Sequence, residues 1–88
     1  MQYLIARDDH GRLAAVPASE IRRACVDYSD DDDCRKVWSV CIEQKDEEMF
    51  FSSDLTEDEA NAALVAIFSS TKRVVVLEDV VAQVRGDA

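Results

Sequence analysis

The stretch VWSVCIEQKDEEMFFSSDLTEDEANAALVAIF, residues 37–68, decides the fold. Its opening alternates: Trp38, Val40 and Ile42 fall on one face, and Ser39, Cys41 and Glu43 on the other. That period of two marks a strand with one side buried. Lys45-Asp46-Glu47-Glu48 then reads as a polar hairpin turn, and Met49-Phe50-Phe51-Ser52 as the returning strand. Phe50 and Phe51 are adjacent, so on a strand they point to opposite faces and one of them is either exposed or covered by something else. Thr56-Glu57-Asp58-Glu59 forms a capping box, with Thr56 at the N-cap and Glu59 three residues on, which starts a helix. Ala60, Ala63, Leu64, Ile67 and Phe68 follow at helical spacing as its buried stripe.

Upstream, Tyr3-Leu4-Ile5-Ala6 reads as a strand, Asp8-Asp9-His10-Gly11 as a turn with glycine supplying positive φ, and Leu13-Ala14-Ala15-Val16 as a second strand stopped by Pro17. Residues 20–28 fit two patterns. Ile21, Ala24, Cys25 and Tyr28 match a helical stripe, while Ala24, Val26 and Tyr28 match one face of a strand. The strand is preferred, because an acidic turn and a clear strand follow it. Downstream, Ser69-Ser70-Thr71 ends the helix and Val74-Val75-Val76-Leu77 forms a short β-branched strand. Asp79 either caps a terminal helical turn carrying Val80, Val81 and Val84, or the chain stays extended there. With no internal repeat and no linker, the 88 residues are predicted to form one α+β domain. Its architecture is an antiparallel sheet of about five or six short strands with one amphipathic helix packed on one face.

The run from the Trp38 strand through the charged hairpin to the helix start resembles small uncharacterised β–β–α proteins of phages and other mobile elements. Trp38, Val40, Ile42, Asp46, Leu55, Thr56, Glu59, Ala60 and Leu64 carry the resemblance, over about half the chain. Glu47 stands where those proteins usually have a glycine. The resemblance implies a genetic setting and supplies no catalytic residue.

Net charge is −9, and it is unevenly placed. Residues 27–59 hold thirteen acids and three bases, a net −10, whereas the rest hold six acids and seven bases, a net +1. Such a surface repels nucleic acid and anionic membranes and attracts basic protein surfaces. The densest part is the run Asp30, Asp31, Asp32 and Asp33, set between Cys25 and Cys34. An EF-hand loop is excluded: counted from Asp30, the sixth and twelfth positions are Arg35 and Cys41, where glycine and glutamate are required. The plain alternative is a solvated turn, with Arg35 and Lys36 partly screening it. Two further acidic clusters follow, Glu43 with Asp46, Glu47 and Glu48, and Asp54 with the helix start. The first turn and the helix start are expected at one end of the sheet and the hairpin at the other.

Cys25, Cys34 and Cys41 lack the close pairing of zinc ligands or of a Cys-x-x-Cys redox motif, and His10 is the sole histidine. They read as free thiols. The apolar runs are far shorter than a membrane span, and the first residues lack a signal-peptide pattern, so the expected setting is the cytoplasm. No metal, cofactor or catalytic set is expected. The residues thus predict a non-enzymatic binding protein whose Asp27, Asp30, Asp31, Asp32, Asp33, Asp46, Glu47 and Glu48 meet a basic, nucleic-acid-binding protein surface. In the phage setting this is an inhibitor of a defence system, of the anti-CRISPR kind. The alternative is a homodimer joined through an apolar sheet face, with the acids serving solubility.

Overall fold

The computed structural model describes residues 1–8, 10–30, 33, 35–46 and 49–86, with the backbone alone for residues 49 and 51–53. Asp31, Asp32, Cys34, Glu47 and Glu48 therefore lie outside the described residues, as does the side chain of Phe51. In chain order the elements are β1 (Tyr3–Arg7), β2 (Leu13–Pro17), β3 (Ile21–Asp30), β4 (Lys36–Gln44), β5 (Met49–Leu55), α1 (Glu57–Ser69), β6 (Val74–Val76) and α2 (Leu77–Arg85). Residues 20–28, the ambiguous segment, are mostly strand.

The α+β class is as expected, but the sheet is divided and the helices are two. One three-stranded sheet has the order β2-β1-β6 and the other β3-β4-β5. The reason lies along β1. Tyr3, Leu4 and Ile5 pair in parallel with Val74, Val75 and Val76, so that edge of β1 is already taken. Among the described residues, β5 meets it beyond the strand, through a bridge between Asp8 and Phe50. The chain also turns sharply between the sheets. After Pro17, which closes β2, Ala18–Glu20 form one 3-10 turn. That turn is tied at both ends: the Ala18 N–H donates to the Gln2 carbonyl (2.8 Å), and the Lys45 N–H to the Glu20 carbonyl (2.9 Å). The β1–β2 connection is held by Asp8, whose Oδ1 accepts from the N–H groups of His10 (2.9 Å) and Arg12 (3.0 Å). Those bonds, Arg12's first, keep the Asp8 carboxyl below its usual range. Gly11 completes the turn at φ +79°.

Both sheets and both helices share one core. Leu4, Ala6, Val16 and Val75 come from the first sheet, Val40, Ile42, Phe50 and Leu55 from the second. Ala60, Ala63 and Ile67 come from α1, and Leu77, Val80 and Val81 from α2. The capping box forms as read: Thr56 Oγ1 accepts from the Glu59 N–H (3.2 Å), and the Glu59 carboxylate accepts from the Thr56 N–H (2.8 Å). The stripe is narrower than read. Leu64 is only half-buried and Phe68 is 50 % exposed, because alanines at positions 60 and 63 with Ile67 already bring α1 down onto the sheet. Trp38 likewise packs against the edge of the core, half-buried.

Beyond β6 the chain turns helical at once. Leu77 opens α2 as a core residue and does not extend the strand, with Val76 at the N-cap. Asp79 sits inside the first turn and caps nothing, though it and Glu78 favour the helix's positive end. Gly86, at φ +75°, closes the helix by donating its N–H to Gln83 (3.1 Å).

This packing orders the cost of truncating α1. Replacing Ile67 by alanine should lower stability by about 2–5 kcal/mol, whereas Phe68→Ala should cost under about 1 kcal/mol. Chemical denaturation of the two variants checks the order, and equal losses would contradict the packing described.

Candidate acidic interface

The β3–β4 pair is symmetric about Asp33. Asp30 faces Lys36, Ser29 faces Val37, Tyr28 faces Trp38 and Asp27 faces Ser39. Because cross-strand partners share a face, the Tyr28 and Trp38 rings meet, with centroids 5.1 Å apart and planes at 38°. Lys36 adds its Nζ over the Tyr28 ring, 5.6 Å from the centroid. Tyr28 is 55 % exposed, so this stack forms part of the surface directly below the acidic turn. Asp27, one residue before Tyr28, lies on the opposite face of β3, where its Oδ1 accepts from the Tyr28 N–H (2.8 Å).

The helix start comes to the same end of the molecule. Leu55 pairs with Trp38, so the end of β5 lies beside the beginning of β4. A shallow groove of about 310 Å³ runs between them, lined by Arg35, Lys36, Val37, Asp54, Leu55 and Thr56. Asp30, Asp33, Asp54, Glu57 and Asp58 are all exposed around it. Asp46 is not part of this group. It lies past the far end of β4, about 26 Å away at some 3.3 Å per residue along the strand. Of the described residues, Asp27, Asp30 and Asp33 are separated from Asp46 by the length of β4.

One backbone feature brings the two parts of the groove together. Between Trp38 and Val40 the register slips, so that β5 carries one residue more than β4. Asp54 sits in this bulge at φ +63°, in the left-handed region that aspartate tolerates better than most residues. The bulge turns Leu55 inward, 3 % exposed, and leaves Thr56 extended at the helix N-cap.

On the opposite face of β3 and β4, Cys25 and Cys41 stand directly across from each other. Cysteine spacing alone does not reveal this, but the pair is equidistant from Asp33, and a hairpin centred on the aspartate run would place it. Arg22 and Glu43 form an ion pair (3.4 Å) on that sheet, too exposed to add much stability. Among the described residues no group of three or more His, Cys, Asp or Glu side chains is arranged to hold a metal ion, and no helix is long and apolar enough to cross a membrane.

Comparison of the chain with known protein families, with curated proteins and with solved structures finds no match in any of the three.

The bulge gives a direct test of the groove's construction. Asp54→Gly should leave stability unchanged or raise it by up to about 1 kcal/mol, while the β-branched Asp54→Ile should cost about 1–3 kcal/mol. In thermal melts the glycine variant should therefore match or exceed the parent, and the isoleucine variant should fall below it.

Proposed function

We propose that the chain is a non-enzymatic binding protein whose acidic end occupies a basic surface of another protein, one that itself binds nucleic acid. In a phage or mobile-element setting it acts as an inhibitor of the anti-defence kind. The observation that supports this reading is the convergence of the β3–β4 turn and the α1 start on one end of the molecule. Asp30, Asp33, Asp54, Glu57 and Asp58 are exposed at the end that carries the Tyr28–Trp38 stack, with Asp27 on the opposite face of β3. Carboxylates around an exposed aromatic pair suit arginine and lysine side chains, which make charge-assisted hydrogen bonds and stack on aromatic faces. Asp31 and Asp32 extend the same sequence run, while Asp46, Glu47 and Glu48 belong to a hairpin that would contact only a large or wrapping partner.

The test begins with capture of the partner from the source cell and its identification by mass spectrometry. Association is then followed for the parent and for a variant with asparagine at Asp27, Asp30, Asp31, Asp32 and Asp33. The variant should associate about tenfold more slowly at low salt. The difference should vanish near 1 M salt, where the Debye length falls to about 3 Å. A competing oligonucleotide should displace the parent from the partner. Equal association rates at low salt would leave the acidic end as a solvated surface.

A second reading, self-association, is favoured by the outer face of the β2-β1-β6 sheet. Tyr3 (45 % exposed), Leu13 (56 %) and Val74 (45 %) lie there with half-buried Ile5 and Val76 between them. A dimer built on this face keeps the two acidic ends apart, and its affinity should be insensitive to salt. Leu13→Lys should abolish it without unfolding the chain, as read by sedimentation over a dilution series.

A further inference from the structure

Cys25 and Cys41 occupy directly opposed positions on adjacent antiparallel strands, with Asp27 facing Ser39 two residues along the same face. Opposed residues in such a pair have Cα atoms about 4.5 or 5.5 Å apart, depending on their place in the hydrogen-bond ladder. A disulfide accepts about 4.4–6.8 Å, so either spacing allows the bond. Burial chiefly raises the Cys41 thiol above its usual range, with Ser39 opposing and the neighbouring Cys25 and Asp27 adding to the rise. Ser39 Oγ lies 3.7 Å from the Cys41 sulfur. Both cysteines are reduced, Cys41 buried and Cys25 half-buried.

We propose that Cys25 and Cys41 are a cross-strand redox site, converted reversibly to a disulfide by small-molecule disulfides such as oxidised glutathione. The inference is independent of the acidic end's partner. Burial assigns the order of steps. The more accessible Cys25, as its thiolate, attacks one sulfur of the oxidant, forming a mixed disulfide and releasing one small thiol. Cys41 then gives up its proton and attacks the Cys25 sulfur, expelling the second small thiol. Two protein thiols become one disulfide, the oxidant is reduced to two thiols, and no other reactant is required. Opposed Cβ atoms in a strand pair lie about 4.5–5.5 Å apart, against a mean of about 3.8 Å in disulfides. The strands must therefore draw together slightly, and the resulting bond is readily reduced. Strained disulfides of this kind are labile and suit regulation better than scaffolding. The bond would join β3 to β4 eight residues to either side of Asp33, fixing the base of the hairpin that bears the acidic run.

The experiment uses the full chain carrying Cys34→Ser, so that only the opposed pair can react. The folded protein is incubated with excess oxidised glutathione and its intact mass is measured, followed by tryptic mapping. Cleavage after Arg23, Arg35, Lys36 and Lys45 places the two cysteines on separate peptides, residues 24–35 and 37–45. The expected product has lost two hydrogens, carries no glutathione and gives the two peptides as a linked pair. Dithiothreitol should restore both free thiols. A second variant, with Cys41→Ser added, should instead retain one glutathione on Cys25. A persistent glutathione adduct on the Cys34→Ser protein would overturn the proposal. So would a disulfide-linked dimer, or reaction of the pair only after denaturation.

Discussion

Leu4 is fully buried on the core-facing side of β1, with Val16 of β2 and Val75 of β6 on either side of it. The second of these pairings constrains everything between. A parallel pair cannot be closed by a hairpin, so the chain must leave β2, travel some distance and return to β1 in the same direction. The excursion contains the whole β3-β4-β5 sheet and α1, and α1 carries the chain back over the core. With β6 seated on the first half of β1, β5 meets β1's end through a bridge at Asp8, and the strands resolve into two sheets over one shared core. Three valines thereby set both the position of α1 and the division of the sheet.

The acidic half is tolerated for a related reason. Its carboxylates at positions 30, 33, 54, 57 and 58 all face water. At 4 Å in bulk water two unit charges repel by only about 1 kcal/mol, and salt lowers this further. Part of the charge also serves the fold. Glu59 completes the capping box, and Glu57 and Asp58 lie at the positive end of the α1 dipole. In the turn, Asp30 stands across from Lys36, at the end of the β3–β4 pair. The helix-start acids thus have a structural task of their own, and the functional reading is centred on the turn.

Much of the fold is legible in local pattern, because local physics determines it. Alternation located β4, Gly11 located the first turn, and Thr56 with Glu59 located α1. What pattern cannot carry is pairing between distant segments. Val74–Val76 reads as a strand, yet nothing in its residues says that it lies parallel to β1. Phe68 satisfies helical spacing but lies outside the buried arc, since the alanines at 60 and 63 determine which side of α1 meets the sheet. Asp79 resembles a cap, but the helix had already begun at Leu77, a residue the core requires. The Cys25–Cys41 opposition was encoded in a symmetry about Asp33 that becomes visible only once the turn's centre is fixed.

The ten residues of β3 form the border of their sheet, and no strand pairs with its outer side among the described residues. Such a border is a template on which another chain can build, and the side chains along it determine whether it does. Arg22, Arg23, Asp27 and Asp30 are spaced over its length. An incoming strand would have to strip water from charges of both signs at its two ends, with no matching register in an ordinary apolar segment. Sequence drift that neutralised this border would leave the fold's thermodynamic stability nearly intact. Its effect would be felt in the life of the protein at high concentration, as a tendency to assemble into ordered aggregates.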